Sequence, residues 1–154
     1  MTIRLLDGRL DDLGAVMRVM TDAFADRFGE AWTRSQCAGI LPMSGVRLTL
    51  AHDGTDVVGF SLYRTVAGDA ELLLLAVSPK SRRQGVGRTL LDRFVEAARR
   101  EGAEKIHLEV RDGNPAICLY ESAGFEKANR RRNYYKGRDG DQFDALTFVL
   151  TPKG

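Results

Sequence analysis

Apolar residues change their spacing several times along this chain, and each change marks an element. Ile3 to Leu5 reads as a short strand, after which Leu10, Leu13, Val16, Met17, Met20 and Phe24 recur at helical spacing. Thr33 with Gln36 three residues on offers a capping box, so a second, shorter helix is expected towards Ile40, closed by Leu41-Pro42. Val46 to His52 and Val57 to Val66 are β-rich runs around Asp53-Gly54-Thr55-Asp56, which is turn chemistry and predicts an antiparallel hairpin. Gly68-Asp69 turns into Ala70 to Val77. That run is nearly continuous in leucine, which predicts a strand covered on both faces at the centre of a sheet.

Val86, Leu90, Leu91, Phe94, Val95 and Ala98 then mark an amphipathic helix closed by Gly102, and Lys105 to Arg111 returns to strand. Strand, helix and strand in that order make a parallel crossover. Pro115 to Ser122 reads as a short helix after Asn114. Lys127 to Tyr135 and Phe143 to Leu150 read as closing strands around Gly137-Arg138-Asp139-Gly140. The pattern is mixed α/β, and 154 residues without linkers, repeats or low-complexity segments fit a single domain spanning 1–154.

Composition narrows this only by exclusion. The longest apolar run, Leu72 to Val77, is too short to span a bilayer, and the N-terminal residues lack the apolar core of a secretory signal. A cytoplasmic protein without membrane association is expected. Cys37 and Cys118 stand far apart with no metal-ligand spacing around either, so both read as buried apolar thiols, with neither a disulfide framework nor a metal site expected. A formal charge of +2 does not call for nucleic acid. The run Arg130-Arg131-Arg132-Asn133-Tyr134-Tyr135 has three readings: a basic-aromatic surface for nucleic acid, a strand with alternating exposed arginines, or substrate recognition beside a cleft.

The chemistry gathers where the central strand turns into the long helix. Arg82-Arg83-Gln84-Gly85-Val86-Gly87-Arg88 places two glycines and three arginines at a helix N-terminus. Unpaired amides and the positive end of the helix dipole suit an anion there, glycine lets the backbone approach it, and arginines add charge-assisted bonds. No Lys-Ser or Lys-Thr follows, and no third glycine completes a dinucleotide fingerprint, which argues against ATP and NAD. A tight turn with solvated arginines has the same composition.

Arg82, Gly85 and Gly87 at this strand-to-helix turn match the R/Q-x-x-G-x-G/A signature of the GNAT superfamily of acetyltransferases, which the chain resembles over essentially its whole length. Leu108-Glu109-Val110-Arg111 and Leu119-Tyr120-Glu121-Ser122-Ala123-Gly124-Phe125 match that family's fifth strand and following helix. Together with Arg131-Arg132-Asn133-Tyr134-Tyr135, they look like the bacterial ribosomal-protein-alanine N-acetyltransferase (RimI-like) branch. The resemblance implies a largely antiparallel sheet of about seven strands, splayed between the fourth and fifth to admit acetyl-coenzyme A. It implies direct acetyl transfer to a protein N-terminus, a ribosomal protein's included. By resemblance, Leu75, Ala76 and Val77 present backbone groups to the acetyl and pantetheine portion. Arg82, Arg83, Gln84, Gly85, Val86, Gly87 and Arg88 hold the pyrophosphate, Glu109 is the base and Tyr120 the acid. One departure stands out: the branch places an asparagine seven residues before the tyrosine, where this chain has Gly113, and Asn114 stands six before. Asn114 is the residue available for that cofactor contact.

The residues themselves are compatible with this chemistry. An α-amine, with a pKa of about 8 against about 10.4 for lysine, needs only a mild proton acceptor such as Glu109. His107, Glu109 and Arg111 share one strand face, so Glu109 reads either as the base in a polar cleft or as a surface glutamate paired to Arg111. His107 is a second candidate base, ranked behind Glu109, and reads as a structural or solvent-facing histidine. Tyr120 reads as a proton donor to a thiolate or as a core tyrosine with a satisfied hydroxyl. A main-chain amide near Val77 is the expected oxyanion donor, exposed if the strand bulges or splays there. Phe28 and Trp32 are candidates for the acceptor side or for core packing. Cys118, beside the proposed acid, has no role in direct transfer. An enzyme for a small-molecule amine, and a non-catalytic coenzyme A- or RNA-binding module, are the alternative readings.

Overall fold

The computed structural model describes residues 2–151. Seven strands form one sheet: β1 (Ile3–Asp7), β2 (Val46–Asp53), β3 (Asp56–Val66), β4 (Asp69–Val77), β5 (Lys105–Arg111), β6 (Phe125–Lys136) and β7 (Gln142–Leu150), in the order β1-β2-β3-β4-β5-β7-β6. Every neighbouring pair is antiparallel except β4 with β5. That parallel pair is short. It runs from Asp69 opposite Lys105 to Leu72 opposite Leu108, after which the two strands diverge.

The helices cover the two faces unequally. On one face α3 (Val86–Arg100) brings Leu91, Phe94 and Ala98 against Ala70 and Leu72 of β4, Ile106 and Leu108 of β5, and Phe148 of β7. On the other, α1 (Leu13–Ala23) packs Leu13, Val16 and Met20 on Leu48, Leu50, Phe60 and Leu62, with α2 (Arg34–Ile40) adding buried Cys37. The capping box of α2 forms as its sequence predicts: Gln36 N–H donates to Thr33 Oγ1 at 3.1 Å, and Thr33 N–H donates to Gln36 Oε1 at 2.7 Å. Gly102 closes α3 at φ 75°. α4 (Ile117–Ser122) starts two residues later than the sequence suggests, because the Asn114 side chain accepts from Ala116 N–H at 2.8 Å and holds 115–116 in a turn.

β4 is the central strand, with a core on each face as its leucine run predicts. Its residues alternate between buried and half-buried, and its pairing with β3 shifts between Leu62 and Tyr63, which leaves Leu73 as an extra residue. The bulge reverses the faces: Leu72 belongs to the α3-side core, whereas Leu74 and Ala76 belong to the α1-side core. Leu75 and Val77 thereby turn towards α3, half-buried at the open splay. The disruption lies at Leu73 rather than at Val77, and everything beyond it on β4 faces the gap left by β5. Among the described residues no helix is long and apolar enough to cross a membrane.

Candidate active site

The divergence of β4 and β5 opens a cleft of about 990 Å³ that reaches from the N-terminus of α3 to the face of the sheet carrying Glu71 and Glu109. Leu75, Ala76 and Val77 line it from β4; Arg82, Arg83, Gly85, Val86, Gly87 and Arg88 from the turn; Asn114, Leu119 and Tyr120 from beyond β5. Gln84 is exposed and stands outside the lining.

The turn has a conformation that would suit an anion. Arg83 and Gly85 both occupy the left-handed region, at φ 66° and 78°, which aims successive amides to one side; at Gly85 a side chain would be strained. Among the described residues the amides from Arg83 to Arg88 donate to no backbone carbonyl, and the first to find one is Thr89 N–H, on Gly85 at 3.0 Å. The three arginines are not equivalent. Arg82 donates through Nη2 to the Ala23 carbonyl at the end of α1 (3.1 Å), and Arg88 pairs with Asp92 at 2.9 Å. Arg83 has no protein partner among the described residues.

Across the cleft, Glu109 does not pair with Arg111. Its Oε1 forms an ion pair with Arg131 Nη2 at 3.1 Å, while Oε2 is buried with no hydrogen-bond partner among the described residues. An unmatched buried carboxylate oxygen is costly to leave empty and marks a place for a donor. Glu71, a residue the sequence reading passed over, lines the same cleft from β4, and burial raises its carboxyl above the usual range. His107 Nε2 lies 2.6 Å from Asp69 Oδ1, and the residue is not part of the cleft lining. Tyr120 is 5% exposed, set in the α3-side core with its ring 6.2 Å from that of Phe125, and yet it lines the cleft. Burial pushes its phenol far above the ordinary value, with the Tyr135 and Glu30 charges adding to the effect.

The far wall is assembled from segments distant in sequence. Arg111 pairs with Glu30 at 3.0 Å, both side chains nearly buried, and its guanidinium lies 3.6 Å from the Phe28 ring centre. Asn114 Nδ2 donates to the other Glu30 oxygen at 2.6 Å. Phe28 also meets Phe143 edge-on at 5.2 Å, and Trp32 lines the cleft while packing on the α1-side core. The arginine run is divided between partners: Arg130 bridges Asp112 and Asp144 at 2.8 and 2.7 Å, and Arg131 serves Glu109. Beyond it β6 bulges. Three residues separate the pairs Arg131 with Ala145 and Tyr135 with Phe143, Asn133 sits at φ 54°, and Tyr134 and Tyr135 are delivered to the cleft. Cys37 is buried as expected, but Cys118 is not: it is an exposed free thiol on the cleft lining, because it stands on the side of α4 that faces the splay.

Comparison with known proteins bears on this arrangement. The profile of the Acetyltransferase (GNAT) family matches residues 14–125. [Ribosomal protein bS18]-alanine N-acetyltransferase of Escherichia coli (strain K12) is 41% identical over 95 residues, 61% of this chain and 64% of the relative. The chain therefore matches a little under two thirds of that relative's length. The crystal structure of the ribosomal-protein-S18-alanine N-acetyltransferase from Escherichia coli superposes with a TM-score of 0.87 at 31% identity, covering 99% of this chain and 97% of that one. Arabidopsis thaliana NAA60 in complex with acetyl-CoA shares the fold, with a TM-score of 0.85 at 20% identity over 99% of this chain and 100% of that one.

Proposed function

The chain belongs to the acetyltransferase (GNAT) family, and from that premise we propose that it transfers the acetyl group of acetyl-coenzyme A to the N-terminal α-amine of a protein. A ribosomal protein's N-terminal alanine is the acceptor its relatives' names suggest. One observation carries the reading: a single cleft joins an anion-binding turn to a buried, unmatched Glu109 oxygen and to Tyr120.

The residues present fit acetyl-coenzyme A. The free amides from Arg83 to Arg88 and the unpartnered Arg83 suit its pyrophosphate. A side chain at Gly87 would approach Leu119 Cδ2 to 3.2 Å, so glycine keeps the passage between α3 and α4 open. Leu75, Ala76 and Val77 offer an apolar strand edge, unpaired on the β5 side, for the pantetheine arm. When bound, the co-substrate supplies an activated acetyl thioester. No metal is called for.

Glu109 takes the proton that the amine loses. Arg131 fixes its Oε1, and Oε2 remains to accept, directly or through a water. An α-amine with a pKa of about 8 gives up that proton far more readily than a lysine. Main-chain amides of β4 beyond the Leu73 bulge supply the electrostatic stabilisation for charge developing on the acetyl oxygen. Tyr120 keeps its proton throughout the working range because burial raises its pKa. Its hydroxyl is therefore suited to donating a hydrogen bond to the departing sulfur, since full transfer to a thiolate is uphill. Direct transfer needs no nucleophile, so Cys118 is dispensable.

The test is incubation with acetyl-coenzyme A and an acceptor panel, read by mass spectrometry. Acetylation of an N-terminal alanine peptide in preference to polyamines and aminoglycosides is expected. Turnover confined to the small amines would overturn the protein acceptor, and binding of acetyl-coenzyme A without transfer to any amine would overturn the enzyme reading.

A further inference from the structure

The segment of residues 24–33 leaves α1 over β3 and β4 and reaches across the splay to two anchors. One is the hairpin between β6 and β7. There Arg138 N–H donates to the Asp26 carbonyl at 3.2 Å, and Gly137 lies so close to the Arg27 carbonyl that no side chain fits. The other anchor is the end of β5, where Glu30 uses both oxygens, Oε1 for Arg111 and Oε2 for Asn114. Arg111 in turn donates through Nη1 to the Asp112 carbonyl at 3.1 Å and is roofed by Phe28. Arg111 is the one charged residue in the buried class among those described. Removing this pair from water is expensive and gains little stability over apolar packing, so its geometry is better explained by what it holds in place.

Asn114 is at the hinge of this arrangement. Its Nδ2 is committed to Glu30, its Oδ1 to Ala116 N–H, and its own amide donates to the Arg111 carbonyl at 3.0 Å. Both ends of the side-chain amide are therefore engaged within the protein.

Building on the acetyltransferase reading, we propose that Glu30, Arg111 and Asn114 form a buried clamp that sets the position of the acceptor wall. Asn114 is then a positioning residue of the acceptor side rather than a contact to the cofactor. The clamp fixes residues 28–32, which carry Phe28, Glu30 and Trp32 along the cleft, relative to Glu109 two positions before Arg111 on β5. A small displacement of that wall disturbs the approach of the acceptor but not the phosphate turn at the opposite end.

Asn114→Ala is the main test, since it removes one arm without leaving a buried charge unpaired. Three quantities are measured: the acceptor KM and kcat, the Kd for acetyl-coenzyme A by calorimetry, and amide hydrogen exchange across residues 24–33. The clamp requires a rise of about tenfold in acceptor KM, with kcat and Kd within about twofold, and faster exchange in that segment. Glu30→Gln keeps the shape but removes the counter-charge of buried Arg111 and faces Asn114 Nδ2 with a second donor, so its acceptor KM and exchange rise at least as far as in Asn114→Ala. A weakened acetyl-coenzyme A Kd with unchanged acceptor KM would return Asn114 to the cofactor and overturn the proposal. Unchanged exchange in both variants overturns it as well. A wild type that binds acetyl-coenzyme A but acetylates nothing contradicts the activity instead, and the exchange arm, which needs no turnover, still decides the clamp.

Discussion

The proposed phosphate turn and the proposed acceptor wall close opposite ends of one cleft and are built in opposite ways. The turn is seven consecutive residues, Arg82 to Arg88, whose backbone does the work: left-handed Arg83 and Gly85, free amides and a helix dipole. The wall is a side-chain network, in which Glu30 meets Arg111 across 81 positions and Asn114 across 84, and Arg131 comes from a third segment to hold Glu109. A backbone device tolerates replacement of most of its side chains. A buried ionic network does not, because removal of one partner strands the other. One hydrogen bond spans the two ends, from Arg82 to the Ala23 carbonyl where the segment leading to the wall begins.

The largest effect separates the chemistry from both ends. Glu109→Gln should lower kcat by at least about a hundredfold, the usual scale for loss of a general base, with the acetyl-coenzyme A Kd unchanged. An amide also weakens the hold of Arg131, so Arg131→Ala should reproduce a smaller part of the loss. A Glu109→Gln enzyme with wild-type kcat would leave the site without its base.

Next come two substitutions that act on one end each. Arg83→Ala removes a charge-assisted contact of about 1.5–3 kcal/mol, so the acetyl-coenzyme A Kd should weaken by about tenfold or more while acceptor KM holds. Gly137→Ala forces a methyl group against the Arg27 carbonyl and pushes the 24–33 segment off the hairpin. A loss of about 1–3 kcal/mol in stability, seen in urea unfolding, should accompany a several-fold rise in acceptor KM at unchanged acetyl-coenzyme A Kd. If either variant moves both constants equally, the two ends are not separable.

The same contrast explains what could be read in advance. The elements were legible because their signals are local: the capping box at Thr33 and Gln36, the two-residue turn of the β2–β3 hairpin, and Gly102 after α3 all appear where the pattern puts them. The turn was legible for the same reason. Pairings were not. Shared strand faces suggest Glu109 with Arg111, but Glu30 takes Arg111 because the loop after α1 folds back onto β5, and nothing in the residues near position 30 announces that. The bulge at Leu73 was invisible in a run of leucines, since either register buries the same residue type. Glu71 was hidden by the same run, and its place in the cleft follows only from where β5 leaves β4.

The smallest expected effect concerns Tyr120, which belongs to neither end and sits between them. Its folded-state pKa lies above that of the unfolded chain, which is about 10. Below that pH both states keep the proton, and the group makes no pH-dependent contribution. Above it the unfolded chain releases the proton and the folded protein retains it, so stability falls as pH rises, by up to about 1.4 kcal/mol per pH unit for one such group. Tyr135, also raised by burial, acts with the same sign from the acceptor wall. Urea unfolding between about pH 9 and pH 11 should therefore show a steeper decline for wild type than for Tyr120→Phe, with Tyr135→Phe removing a further part. Equal slopes in wild type and Tyr120→Phe would mean that the phenol reaches solvent through the cleft. In that case it is an ordinary acid near pH 10, and proton transfer to the thiolate, rather than a hydrogen bond, becomes its role.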